Sequence, residues 1–177
     1  MGKSKIYVNG KLLAEHFGGY LPVVVDVTDA LEFGKENLIA VWADNSNDPN
    51  YPPGKQQEVL DFTYFGGIYR DCWLIAHNQV FITDPNYENE TAGGGLFVSF
   101  DKVSEQSAQL KLDAHIRNTS RKSFGGKILY ELYDRDGKRV LSKETGLSVS
   151  KDLAKQISCK VTVETPHLWS PDSPYLY

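Results

Sequence analysis

Residues 156–163, Gln-Ile-Ser-Cys-Lys-Val-Thr-Val, decide the fold of the second half of the chain. Apolar side chains alternate with polar ones in this stretch, at Ile157, Cys159, Val161 and Val163. Successive side chains of a β-strand point to opposite faces of its sheet, so a period of two predicts a strand with one buried and one solvated face. A sheet with one wet face is typical of antiparallel structure.

Other short apolar runs precede this stretch at the spacing of a β-sandwich. They occupy residues 96–100, 108–117, 128–133 and 139–141. The sequence Asp-Arg-Asp-Gly-Lys at 134–138 predicts the turn between the last two runs. Because no segment shows a sustained apolar period of 3.6 residues, helix is expected to be minor.

The first half of the chain is also predicted to be β-structure. Residues 5–8 and 11–14 flank Asn9-Gly10, the pair favoured in a type I′ hairpin turn because both of its central positions need a positive φ. Two more strands are predicted, one at 37–43 and one at 72–76. The run at 37–43 is short and apolar throughout, as a strand buried on both faces would be.

Two polar intervals organise the chain. Residues 44–60 form a turn-rich stretch, and a loop of this length inside a domain is more often functional than merely connective. The second interval, 84–95, ends in three glycines with no helix after them, which predicts a flexible connector. We therefore place two all-β domains at residues 1–82 and 83–177.

Composition excludes several classes of protein. The 177 residues carry a net charge of -4 that is scattered along the chain, which argues against nucleic-acid and membrane-surface binding. No stretch approaches the about 20 apolar residues of a membrane-spanning helix. Cys72 and Cys159 are too few for a disulfide framework and are expected to be buried free thiols. The four histidines lack metal-ligand spacing.

One constellation is suited to binding a ligand. Carboxylates and carboxamides precede three aromatic residues between positions 42 and 70: the polar set is Asp44, Asn45, Asn47, Asp48 and Asp61, and the aromatic set is Phe62, Tyr64 and Phe65. Sugars are bound by such mixtures, because aromatic faces take the C–H side of the ring and carboxylates accept its hydroxyl hydrogens. The alternative is that the aromatic residues are core and the polar ones solvate a loop, and composition alone favours this alternative.

The order of motifs resembles the first two domains of family 2 glycoside hydrolases. The similar stretches are Val8-Asn9-Gly10-Lys11, residues 16–22, Asp26-Val27-Thr28, residues 34–41, Asp61-Phe62-x-x-Phe65-Gly66-Gly67-Ile68-Tyr69-Arg70-Asp71 and residues 167–177. The form at 61–71 is more similar to the β-galactosidase branch than to the β-glucuronidase branch. Together these motifs cover nearly the whole chain.

The resemblance implies a fold and an activity. Residues 1–82 would be the C-terminal part of a sugar-binding jelly-roll domain, and 83–177 an immunoglobulin-like β-sandwich without its final strand. The (β/α)₈ barrel that carries the family's two catalytic glutamates would lie outside the chain. We therefore expect a chain that has no catalytic residue and is inactive alone, from an enzyme that hydrolyses terminal β-galactosides with retention.

The resemblance also implies one site residue. Asp61 matches the aspartate that, in related β-galactosidases, meets galactose hydroxyls and a bound sodium ion. The complete enzyme is expected to use sodium and magnesium and to be a homo-oligomer, whereas the chain itself would hold no cofactor. Glu58 is not assigned to catalysis, because the family's catalytic carboxylates belong to the barrel.

Two other functions stay open: a free-standing carbohydrate-binding module, and a structural pair of sandwiches that binds a protein partner. A jelly-roll without its early strands would expose unpaired edges, so we expect the chain to self-associate or to order its first half poorly. The protein is expected to be soluble, in the cytoplasm or periplasm of a bacterium.

Overall fold

The computed structural model describes residues 2–52, 54–63, 65–91 and 93–177, and strands dominate them. The strands are β1 (Lys3–Val8), β2 (Lys11–Phe17), β3 (Ile39–Asp44), β4 (Val80–Ile82), β5 (Leu96–Val103), β6 (Ser107–Asn118), β7 (Phe124–Tyr133), β8 (Arg139–Val149) and β9 (Ala154–Glu164). Helical structure is limited to α1 (Pro85–Glu88) and 3₁₀ turns at Thr28–Ala30 and Gln57–Val59. The predicted all-β class is confirmed. None of the helical segments in the described residues is long and apolar enough to cross a membrane.

The chain divides into two units, the first ending at Ile75 and the second spanning Ala76–Tyr177. In the second unit, β6 lies at the centre of an antiparallel sheet. It pairs with β9 along nearly its whole length, and its other edge pairs with β5 and then with β4. Strands β7 and β8 pair with each other in a second, two-stranded sheet.

The core of the second unit comes from the alternation along β6 and β9. Leu112 pairs with Cys159 and Leu110 with Val161, so apolar side chains from both strands share one face. The buried cluster comprises Ala108, Leu110, Leu112, Ala114, Ile116, Ile128, Tyr130, Leu147, Val149, Ile157, Cys159, Val161 and Val163. It contains every apolar residue of the 156–163 alternation, which confirms the predicted one-sided strand.

The first unit is a three-stranded antiparallel sheet in the order β2-β1-β3. The predicted hairpin is confirmed, with Asn9 and Gly10 at φ values of 50° and 81°. The Asn9 side chain also organises the chain beyond the turn, because it donates to the Ala30 carbonyl at 3.0 Å and accepts from the Leu38 amide at 2.9 Å. One side chain thus joins the hairpin to the start of β3.

Two strand predictions for the first half are wrong. Strand β3 is not buried on both faces: Ile39 is 49% exposed and Trp42 is 46% exposed. It is the edge of the sheet, and in the described part of the first unit no second sheet covers it. Residues 72–76 form no strand, and Trp73 is 79% exposed. Their apolar character predicted burial, but a strand also needs a paired neighbour.

The predicted flexible connector at 93–95 is also wrong. Gly94 and Gly95 are buried with φ values of 76° and 62°. A Cβ atom on Gly94 would lie 2.9 Å from the Cα of Pro85, and the Gly95 amide donates to the Thr83 hydroxyl at 3.0 Å. These glycines permit a close backbone approach, which a side chain would prevent.

The two cysteines differ from each other. Cys159 is a buried free thiol, as expected, whereas Cys72 is exposed, which contradicts the expectation of burial. Cys72 lies in the unpaired stretch 72–76, so the absence of a strand there also accounts for its exposure.

Candidate functional site

The polar stretch that follows β3 begins in a tight turn closed by its own side chains. The Asp44 carboxylate accepts hydrogen bonds from the Ser46 amide at 2.8 Å and from the Ser46 hydroxyl at 3.0 Å. These bonds, the amide bond first, lower the pKa of Asp44 below its ordinary value. An aspartate that captures the backbone two residues later is the usual way to form such a turn.

A second carboxylate holds the next part of the loop. Asp48 accepts from the Asn50 amide at 2.9 Å and forms an ion pair with the Lys3 ammonium at 2.5 Å. The Lys3 bond, followed by the Asn50 amide bond, lowers the pKa of Asp48. The same ammonium lies 5.4 Å from the ring centre of Tyr51, and Tyr51 stacks on Phe17 with centroids 4.9 Å apart. The loop is therefore attached to β1 and β2 by both charge and aromatic contact.

The segment 61–70 joins the loop at Gly66. A Cβ atom added to Gly66 would lie 3.0 Å from the Asn45 Oδ1 atom, so the missing side chain leaves room for the Asn45 carboxamide. Further along, the Tyr69 hydroxyl donates to the Gly19 carbonyl at 2.8 Å. Two contacts thus fix this segment against the rest of the first unit.

Together the loop and this segment form an open cleft of about 820 Å³, which we call the acidic cleft. Its described lining residues are Asn45, Ser46, Asn47, Glu58, Leu60, Asp61, Phe62 and Thr63. This lining contains two carboxylates, two carboxamides, two hydroxyls and one aromatic ring, and no cationic side chain among the described residues. Such a surface accepts and donates hydrogen bonds and favours a ligand without negative charge.

Asp61 lies in the wall of this cleft and is exposed to solvent. No hydrogen bond or ion pair joins its carboxylate to another described residue. Both oxygens therefore remain available to a ligand, in contrast to those of Asp44 and Asp48.

Comparison with known proteins shows which family the chain resembles. Residues 95–177 match the profile of glycosyl hydrolases family 2. The β-galactosidase of Thermoanaerobacter pseudethanolicus is 33% identical over 98% of the chain, which spans 21% of that protein. This is a family 2 sequence. A β-glucuronidase of Formosa agariphila is 29% identical over 97% of the chain, which spans 18% of that protein.

The fold of the family 2 chain also matches solved structures. The crystal structure of a Bacteroides uniformis β-glucuronidase superimposes with a TM-score of 0.78 at 30% identity. The match covers 98% of this chain and 20% of the other. The chain therefore spans about a fifth of the length of the relatives it matches.

The structure brings together only part of the predicted binding set. Asn45, Asn47, Asp61 and Phe62 line the acidic cleft, whereas Asp44 and Asp48 are used inside the loop. Phe65 lines an adjoining pocket of about 230 Å³, and Tyr64 lies outside the described residues.

Three residues of this family 2 chain could not be assigned to the site from the sequence pattern. Ser46 and Thr63 line the cleft, and Lys3 binds the loop at Asp48 without lining the cleft itself. For Ser46 a local signal existed, since Asp44-Asn45-Ser46 is an aspartate-led turn. For Lys3 there was none, because its partner is 45 positions away in the sequence.

Proposed function

We propose that the chain is the non-catalytic N-terminal part of a family 2 glycoside hydrolase that cleaves terminal β-galactosides with retention of configuration. By complete protein we mean the product of the full reading frame that contains this chain. The observation that supports the proposal most directly is the acidic cleft, in which Asp61 presents a carboxylate that no described residue bonds. Similarity to a β-galactosidase over 98% of the chain supports the same conclusion.

In this proposal the chain binds part of the sugar. Asp61 accepts hydrogen bonds from sugar hydroxyls, and the carboxamides of Asn45 and Asn47 both donate and accept. The ring of Phe62, 47% exposed, offers an apolar face to the C–H side of the sugar. These groups orient the substrate but transfer no proton to or from the glycosidic bond.

The charge of the cleft favours a neutral sugar. Glu58 and Asp61 both line it, and no cation does so among the described residues. The carboxylate of a glucuronide would be repelled by these side chains, whereas galactose carries no charge. A β-galactoside is therefore the better electrostatic match.

A β-glucuronidase is the second candidate, because relatives with that name are also similar over nearly the whole chain. Such an enzyme would need a cation for the sugar carboxylate from outside the described cleft. The β-glucuronidase therefore needs a cation from residues outside the described cleft, whereas the β-galactosidase needs none.

We further propose the domain labels and the catalytic groups. Residues 1–75 would be the C-terminal part of a jelly-roll domain and 76–177 an immunoglobulin-like domain, a boundary earlier than the expected 82/83 because β4 at Val80–Ile82 pairs with β6 of the second unit. The general acid/base and the nucleophile would be two glutamates on a (β/α)₈ barrel outside this chain, about 5–5.5 Å apart as retention requires. The chain would then supply substrate orientation to a site completed by other parts of the protein.

In this proposal the complete protein uses sodium and magnesium, and this chain contributes one ligand to the sodium ion. Asp61 offers a hard, unshared carboxylate oxygen, which suits one ligand position of sodium. Among the described residues no group of three or more His, Cys, Asp or Glu side chains is placed to hold a metal ion. A magnesium ion of the complete protein would therefore be held by residues outside the described part of this chain.

The test uses the complete protein and two chromogenic substrates, a β-galactoside and a β-glucuronide. We expect hydrolysis of the galactoside, retention of the anomer by NMR, and a loss of about 10²-fold in kcat/KM for Asp61→Asn. Asp172→Asn, a change at another exposed carboxylate, serves as the matched control and should leave kcat/KM unchanged. Exclusive hydrolysis of the glucuronide would select the second candidate.

The 177-residue chain alone separates the remaining alternatives. Turnover by this chain that Asp61→Ala abolishes would refute a non-catalytic role. Calorimetric binding of galactose or lactose at millimolar or tighter affinity would favour a free-standing carbohydrate-binding module. A defined oligomer without any sugar affinity would favour the structural pair.

A further inference from the structure

Lys3 makes contacts at both ends of a short segment that lines the acidic cleft. Its backbone lies opposite Asp44 in the pairing of β1 with β3, and the neighbouring Gly2 amide donates to the Asp44 carbonyl at 2.8 Å. Its side chain reaches Asp48, where the ammonium lies 2.5 Å from the carboxylate. The three residues between these two points, 45–47, all line the cleft.

The side chain of Lys3 is held on one face of the sheet. Lys3 pairs with Phe17 across the hairpin, and Tyr51 stacks on Phe17 with an interplanar angle of 5°. The ammonium lies over the Tyr51 ring, and the Lys3 side chain as a whole is 27% exposed. A cation–π contact and an ion pair therefore both act on the same ammonium.

We propose that Lys3 is a positioning residue for the acidic cleft, which it does not itself line. It closes the segment 45–47 into a loop of fixed shape and so holds the Asn45 and Asn47 carboxamides in the cleft wall. This inference rests on the proposed function for its effect on substrate. The attachment of the segment 45–47 by Lys3, which we call the clamp, is a property of the chain itself. An aligned carboxamide loses less conformational freedom when a sugar hydroxyl binds, so positioning should act on binding.

Lys5 provides a matched control on the same strand. It also forms an ion pair, with Glu15 at 2.7 Å, and also lies over an aromatic ring, that of Trp42 at 5.9 Å. Neither Glu15 nor Trp42 lines the cleft among the described residues. Lys5→Met therefore removes the same charge and the same kinds of contact without touching the segment 45–47.

The first measurement is amide hydrogen exchange in the 177-residue chain. The Ser46 and Asn50 amides report on the loop, because they donate to Asp44 and Asp48. We expect Lys3→Met to accelerate their exchange by about fivefold or more, Lys3→Arg to restore it, and Lys5→Met to leave it unchanged. Unchanged exchange in Lys3→Met would overturn the clamp, whatever the complete protein hydrolyses.

The second measurement is steady-state kinetics of the complete protein. Lys3→Met should raise KM by about threefold to tenfold at unchanged kcat, and Asp48→Asn should do the same without adding to it in the double variant. Faster exchange with an unaltered KM, or a fall in kcat alone, would overturn the positioning role. If the unsubstituted protein hydrolyses neither substrate, the proposed function fails, and the exchange rates still decide on the clamp.

Discussion

The two units of the chain bury their side chains very differently. In the second unit, thirteen apolar residues from four strands form a single buried cluster. In the described residues of the first unit, only Ser4 and Val8 are buried, at 2% and 0% exposure. Both units have antiparallel sheets, and register shifts interrupt the pairing in each of them, so backbone hydrogen bonding does not distinguish the two units. The difference is that the sheet around β6 in the second unit shares a buried core with the β7–β8 sheet, whereas the described part of the first unit contains a single sheet.

The buried core and the acidic cleft therefore lie in different units of the chain. Burial of apolar surface is the main favourable term in folding, and the second unit possesses it. The first unit exposes large apolar side chains such as Leu38, Trp73 and Ile75, each at 70% or more. It also carries the acidic cleft. Large exposed apolar surfaces mark sites of contact with other protein surfaces, so the first unit is expected to depend on such contacts.

The largest expected effect comes from separating the units. Residues 76–177 alone should unfold cooperatively in urea, because their core is contained within them, whereas residues 1–75 alone should show no cooperative transition. Circular dichroism against urea concentration measures both.

Light scattering after gel filtration adds a second readout. The 177-residue chain should elute with at least twice its monomer mass, because the first unit exposes large apolar side chains that its own described residues do not cover. Residues 76–177 also expose apolar side chains along β5, such as Phe100 at 65%, so their self-association should be weaker than that of the full chain. A monomeric full chain with a cooperatively folded first unit would contradict the comparison.

Within the second unit, a core truncation should have the next largest effect. Leu112, 8% exposed and paired with Cys159, should cost about 3 kcal/mol of unfolding free energy when changed to Ala, through lost burial and a cavity. Leu38→Ala in the first unit, where the side chain is 70% exposed, should cost less than about 0.5 kcal/mol. Equal losses at the two positions would refute the contrast in burial.

Buried polar groups sharpen the comparison further. The Asn118 carboxamide donates to the Lys122 and Val149 carbonyls at 2.8 and 3.2 Å and is fully buried. Asn118→Ala should therefore destabilise the second unit by about 2 kcal/mol, since the Val149 carbonyl loses its donor in a buried hydrogen bond. Urea denaturation measures this loss.

Ser4 is the counterpart in the first unit. Its hydroxyl is buried without a partner among the described residues. Ser4→Ala should consequently leave exchange of the β1 and β3 amides unchanged or slower, because no hydrogen bond is lost. Faster exchange in Ser4→Ala would show that the hydroxyl has a partner.

The smallest expected effect is a pH dependence of the second unit. Arg117 donates to Glu88, whose side chain is 5% exposed, and this bond lowers the pKa of Glu88 below its ordinary 4.5. The ion pair therefore stabilises the unit above that value, and the contribution is lost as the pH falls through the lower pKa of the folded state. The urea midpoint should decrease between about pH 5 and pH 3.

Glu88→Gln should flatten this decrease without abolishing it. Asp113 and Glu131 lie in the same unit and also have lowered pKa values, Asp113 through Lys111 and then Ser158, and Glu131 through Arg139 and then Tyr133. A residual slope therefore belongs to these two carboxylates. Glu144→Gln, at an ion pair with Lys127 that is largely exposed, should leave the profile unchanged. If the urea midpoint of Glu88→Gln depended on pH as it does in the unsubstituted protein, the ion pair of Glu88 would not be the cause of the decrease.

Features of the fold that depend on local sequence could be predicted, and features that depend on packing could not. The 156–163 alternation and the Asn9-Gly10 turn were predicted correctly, because side-chain period and turn geometry are local properties. The strand at 72–76, the burial of β3 and the flexibility of 93–95 were predicted wrongly. Each of these depends on what packs against the segment, and a single sequence does not encode that locally.

The candidate site shows the same limit. Asp61 could be proposed from the sequence only through the resemblance to family 2, because composition alone favoured a solvated loop. The separate uses of Asp44 and Asp48 could not, since an exposed and a bonded carboxylate look alike in sequence. Lys3 could not be found at all, because its contact with Asp48 spans 45 positions.

The sequence by itself determined the all-β class, the hairpin, the alternating core strands and the resemblance to family 2, because each is written in residue order and spacing. Only the tertiary structure decided which carboxylate is left without a partner among the described residues, which glycines permit close approach of the backbone and which lysine holds the loop beside the cleft. Those outcomes depend on distances between residues that are remote along the chain, and these distances exist only after the sheets have formed.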